Sequence, residues 1–167
     1  TYYFRVVKNS YDINIMKEIE SLGHEIGYHY EDVDIVYSKN KKKYIDDINL
    51  VNAAYKNFCN NLLLFRKNFK ISTICMHGSP LSKYDNKIIW NYYNYKDLDI
   101  IGEPYFDIDF NKIFYLTDTG RRWDGYRYSI RDKINSHQSI WKNKKLIFNK
   151  TNNIIDAVKT GDFPDNI

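Results

Sequence analysis

The sequence predicts an α/β domain built on parallel strands. Two successive strand–helix–strand units carry that reading, one ending near His29 and the next near Met76. Length supports one domain spanning 1–167, because 167 residues fall in the ~100–200 range typical of a domain. Periodicity alone leaves a barrel and an open sheet as alternatives.

Thr1 to Val7 is rich in β-branched and aromatic residues and reads as a strand. Asp12 then caps a helix whose apolar positions are Ile13, Met16, Ile19 and Leu22. Gly23 follows as its stop signal. His24 to His29 is the second strand, so the crossover implies parallel pairing. Asp32 to Asn40 reads as a loop. From Lys43 to Phe69, Ile45, Ile48, Val51, Tyr55, Phe58, Leu62 and Phe65 recur at helical spacing. Ile71 to Met76 is the third strand. Beyond it a short helix is expected over Asn86 to Tyr93. Strand pieces are expected at Ile100–Ile101, Tyr105 to Phe110, Ile113 to Leu116 and Lys145 to Phe148. Thr151 caps a last helix, Asn152 to Lys159, and Gly161 ends it.

Charge is mildly positive: 25 basic against 21 acidic residues, net +4. A nucleic-acid binder shows clustered basic stripes. The one dense run, Lys41-Lys42-Lys43, reads as a solvated helix face. No nucleic-acid partner is therefore expected. No stretch approaches the ~20 apolar residues of a membrane span. Cys59 and Cys75 form no paired metal framework and read as buried free thiols. Together with the lack of a visible leader they give a cytoplasmic expectation. No dinucleotide, phosphate-loop or serine-hydrolase motif occurs.

Functional groups in parallel α/β folds gather at the carboxyl ends of strands. His29 ends one strand and His77 ends the next, so adjacent strands would place both imidazoles on one rim. A zinc hydrolase site needs about three protein ligands. His29, with His77 or Glu31 and a carboxylate from elsewhere, could supply them; a hydrogen-bonded rim histidine is the alternative. Ser79 lies in the loop after His77. His24 sits at the opposite strand end and reads as structural. Asp118, Arg121, Arg122, Trp123 and Asp124 crowd a second loop. Arg can hold an anion bidentately and Trp123 can stack on a sugar, or the group can brace the loop as an Arg–Asp network. Glu103, Asp107 and Asp109 form a further acidic cluster.

Residues 1–29 resemble the NodB-homology polysaccharide deacetylase family. The likeness lies in Thr1-Tyr2-Tyr3-Phe4, the helix to Leu22, and above all Gly23-His24-Glu25-Ile26-Gly27-Tyr28-His29. It implies a deformed (β/α) barrel and a divalent metal, usually zinc. It also implies hydrolysis of an acyl group on a saccharide, with His29 as the first metal ligand. The family's second histidine would fall at Val33, so Glu31, Asp32 or His77 would have to substitute. Met76-His77-Gly78-Ser79-Pro80 stands where the family has an arginine-proline loop. The family's aspartate pair is expected before Thr1 and its last histidine after Ile167, so the barrel would be incomplete here. The expected function is a metal-dependent deacylase for an N-acylated sugar. The rival is a saccharide-binding domain without the metal, which Val33 favours.

Overall fold

The computed structural model describes residues 1–39, 47–78, 82–109, 112–114, 116, 123 and 144–165. They fall into two compact units, Thr1–Asp107 and Ile108–Ile167.

In the first unit β1 is Tyr2–Phe4. The helix α1, Ile13–Ser21, starts at Asp12, whose Oδ1 accepts from the backbone N–H groups of Asn14 (3.0 Å) and Ile15 (3.2 Å). Gly23 follows at φ +85°, a conformation that glycine adopts without Cβ strain. β2 is Ile26–Tyr30, α2 is Asp32–Lys39, α3 is Asp47–Arg66 and β3 is Ile74–Met76. Among the described residues all pairing is parallel, in the order β1-β2-β3, with Tyr3 opposite Gly27 and His29 opposite Cys75. A parallel bridge joins Thr73 to Gly102, and Ile74 N–H donates to Gly102 O at 3.1 Å. One rung further on, the Glu103 carboxylate replaces a backbone carbonyl and accepts from Met76 N–H at 3.0 Å.

The barrel implied by the family resemblance does not form. Among the described residues the sheet has three strands and most other elements are helical, whereas a parallel barrel takes about eight strands. The expected piece at Ile100–Ile101 does run beside β3, with Ile101 N–H donating to Ser72 O at 2.8 Å, but described segments beyond Gly102 turn instead. Pro104–Asp107 is a helical turn, α4, with proline at its first position. The Asp107 carboxylate accepts from Glu103 N–H at 2.7 Å and fixes that turn. Lys112 and Ile113 N–H both return to Asp109 O. Lys145 has φ +58°, incompatible with a continuous strand through 145–148.

A second correction concerns 32–40, expected as a loop. Val33 and Val36 bury one face of α2, Asp32 and Asp34 occupy its first turn and Lys39 its last, which suits the helix dipole. Asn86–Asn91 is a 3-10 helix begun by the Asp85 side chain, and Tyr95–Leu98 is a second one.

Strand parity sorts the sheet into two faces. Ile26, Tyr28, Tyr30, Ile74 and Met76 join Phe58, Leu62 and Phe65 of α3 in the main core. Val33, Val36, Leu50, Ala54 and Ile89 form a second cluster. Arg5, Gly27, His29, Thr73, Cys75 and His77 alternate with the core residues and belong to the other parity.

The second unit has its own core. Phe114 and Phe148 are buried with Leu116, Trp123, Leu146, Ile154, Ala157 and Phe163 around them. Its helix α5, Thr151–Thr160, begins one residue before the sequence expectation, with Lys150 as cap, and stops at Gly161 with φ +76°.

Candidate functional site: a histidine pair at the strand ends

His29 lies in β2 with its flanking residues Tyr28 and Tyr30 locked into the core. Its imidazole must therefore leave the sheet on the opposite face. His77 follows β3 directly, and its N–H donates to Tyr30 O at 2.8 Å, one rung beyond the strand. The two rings meet edge to face, with centroids 4.9 Å apart.

Acceptor chemistry assigns the protons. Cys75 O, 2.9 Å from His29 Nδ1, can only accept, so His29 carries its proton on Nδ1. His29 Nε2 is then a lone pair, and it faces His77 Nδ1 at 3.1 Å. In the neutral pair His77 donates from Nδ1 and keeps a lone pair on Nε2. That nitrogen stands 3.9 Å from Glu31 Oε2.

Glu31 is buried, and both its oxygens are engaged by Arg5: Nε to Oε1 at 3.0 Å and Nη2 to Oε2 at 2.6 Å. This two-point contact fixes the guanidinium plane beside the imidazoles. Burial lowers the His29 pKa below its ordinary value, with His77 and Arg5 pushing the same way against the Cys75 carbonyl. Burial and then Arg5 lower His77 too, against Glu31. Both imidazoles are thus held as neutral bases.

The expected metal can be tested against these atoms. Two ligands on a tetrahedral zinc at ~2.0–2.1 Å lie about 3.3 Å apart. The spacing of 3.1 Å between His29 Nε2 and His77 Nδ1 fits such an edge once the His77 proton moves from Nδ1 to Nε2, which gives both facing nitrogens a lone pair. A ligating histidine usually anchors its other nitrogen on a carbonyl or carboxylate, as His29 does on Cys75 O. Glu31 does not complete the set while Arg5 holds both its oxygens. Among the described residues no three His, Cys, Asp or Glu side chains are grouped to hold a metal.

Two neighbouring positions have structural duties. Val33, where the family has its second histidine, is fully buried in the α2–α3 cluster. Asp32 is buried and accepts from Tyr28 Oη (2.6 Å), Asn57 Nδ2 (2.6 Å) and Asn61 Nδ2 (2.8 Å). Burial nevertheless raises its pKa to about 6. His24 is exposed ahead of β2, at the opposite strand end. Of the second candidate loop, Trp123 packs in the core of the second unit and donates from Nε1 to Thr151 Oγ1 at 3.1 Å. Ser79, Asp118, Arg121, Arg122 and Asp124 lie outside the described residues. Glu103, read as part of an acidic cluster, is buried under the sheet edge.

Arg5 escapes sequence reasoning although the strand-end rule covers it, since it directly follows β1. Tyr3 also escapes: its ring covers Gly27 and approaches His29, with centroids 6.5 Å apart. No helix among the described residues is long and apolar enough to cross a membrane. Comparison of the chain with models of protein families, with curated proteins and with solved structures finds no match.

Proposed function

We propose that the chain belongs to a metal-dependent hydrolase that removes an acyl group from an N-acylated sugar, with His29 and His77 holding a divalent ion, zinc by preference. One observation carries the reading. Two imidazole nitrogens stand at ligand-edge spacing on the carboxyl rim of adjacent parallel strands, and the far nitrogen of His29 is tied to a backbone carbonyl. When bound, the ion supplies Lewis acidity that polarises an acyl carbonyl and acidifies water.

The chain's own groups do the rest. Cys75 O keeps the His29 proton on Nδ1 and so leaves a lone pair on Nε2, the atom that would ligate. The lowered pKa of both imidazoles keeps them unprotonated near neutrality. Glu31 aims Arg5, whose remaining N–H groups suit an oxyanion developing beside the pair. Arg5 also disfavours a proton on either histidine.

A calorimetric zinc titration of the chain beside His29→Ala and His77→Ala tests the site. Stoichiometric binding is expected, with loss in either variant. Unchanged binding in both variants would move the ion elsewhere and overturn the ligand assignment. An absence of binding with retained affinity for N-acetylated oligosaccharides would favour a saccharide-binding domain, the reading that the Arg5–Glu31 pairing supports.

A further inference from the structure

We infer that Asn86 is the positioning residue of this rim: it ties the backbone of His77 to the start of α2, and so fixes where the His77 imidazole stands. The inference rests on the reading of His29 and His77 as the working pair. Asn86 is fully buried. Its Nδ2 donates to His77 O and to Asp34 Oδ2, both at 3.0 Å, and its Oδ1 accepts from Asp34 N–H at 3.1 Å. These contacts use both its donors and its acceptor. The side chain is a strut rather than a substrate contact.

Its partners explain why a strut is needed here. β3 ends at Met76, and His77 is held on one side by the Tyr30 carbonyl. Among the described residues its own carbonyl meets no further strand rung and is taken by Asn86 instead. Asp34 belongs to the first turn of α2, and Glu31 immediately precedes that helix. One amide therefore links the carrier of His77 to the carrier of Glu31. Asn86 is itself anchored as the first residue of its 3-10 helix, whose Asp85 cap accepts from Lys87 N–H at 3.1 Å. Release of this tether frees the His77 peptide to rotate, and the 3.1 Å contact between the rings is lost.

The test uses metal-free protein and two magnetic-resonance readings. Long-range proton–nitrogen spectra of the imidazoles report the tautomer of His77. The native chain should show the proton on Nδ1, as donation to His29 Nε2 requires. Asn86→Ala should return His77 to the Nε2–H form favoured in water. Amide exchange at His77 should quicken about tenfold relative to Ile74, the loss expected from one hydrogen bond. An unchanged tautomer, with exchange at His77 and Ile74 rising together, would mean general destabilisation and overturn the inference. Should Asn86→Ala fail to fold, Asp34→Ala removes one of the three tethers. Selective quickening at His77 is again expected, and equal quickening at Ile74 overturns the inference. A native Nδ1–H tautomer in a protein that binds no zinc would leave the role of Asn86 standing and remove the metal.

Discussion

Gly27 faces the aromatic ring of Tyr3 across the β1–β2 pair, and replacing it with alanine should disturb the rim through that ring. A Cβ at position 27 would lie 2.4 Å from both Cδ1 and Cε1 of Tyr3 and 3.2 Å from Thr1 Cγ2. Carbon atoms prefer about 3.5–4.0 Å, so the ring must retreat by roughly 1 Å. It is not free to do so without loss, because Tyr3 Oη donates to Thr73 Oγ1 at 3.2 Å. Overpacking of this kind costs about 1–3 kcal/mol. A double-mutant cycle isolates the clash: Gly27→Ala is measured in the native chain and in Tyr3→Ala. Urea unfolding, followed through amide signals of β2 and β3, reports on the first unit alone. Without the ring, Gly27→Ala should become nearly neutral, giving a coupling energy of about 1–2 kcal/mol. An equal cost in both backgrounds would refute the reasoning and locate the strain in the backbone.

Three other perturbations give distinct readings. Phe58 is fully buried against Tyr28, Tyr30 and Trp90; Phe58→Ala should cost about 3–5 kcal/mol, read as a fall in the urea midpoint. Arg5→Met leaves the buried Glu31 carboxylate without its partner; a loss of roughly 1–3 kcal/mol is expected, and restoring neutrality with Glu31→Gln should recover part of it. Burial raises the Glu103 carboxyl from 4.5 to about 7. The native state then binds its proton more tightly than the unfolded chain, so this stabilisation is full below the unfolded value and is lost as pH rises through the folded one. The gap corresponds to roughly 3 kcal/mol, and Glu103→Gln should flatten the unfolding free energy across about pH 4–8.

Local signals in the first unit were strong enough to read. Asp12 caps α1 and Gly23 follows it because short-range hydrogen bonding and φ preference decide those positions. The adjacency of His29 and His77 follows from parallel strands that end in register at one edge, with Tyr30 opposite Met76. α2 was missed although Val33, Val36, two leading acids and a trailing lysine mark it; its eight residues are too few for periodicity to stand out. Tyr105–Phe110 misled for another reason. Its β-prone composition is overridden by Pro104 and by the bond from Glu103 N–H to Asp107 four residues on, local turn chemistry that strand propensity does not contain. The barrel expectation failed at the same places, since it needed those segments as strands.

Strand parity links the core to the chemistry. Tyr28 and Tyr30 make β2 hydrophobic on one side, and their rings pack on Phe58. His29, between them, is thereby denied the core. A slip of one residue in β2 would reverse every side chain, burying an imidazole among Phe58 and Phe65 and exposing two tyrosines. The cost of that exchange, about 1.5–3 kcal/mol for each large apolar side chain removed from the core, is what keeps His29 on the open face. On β3, Ile74 and Met76 impose the same parity, so His77 emerges beside His29. The rim's geometry is therefore enforced by side chains that point away from it. Substitutions at Tyr28 or Tyr30 should disturb the histidine pair as surely as substitutions at Arg5 or Asn86.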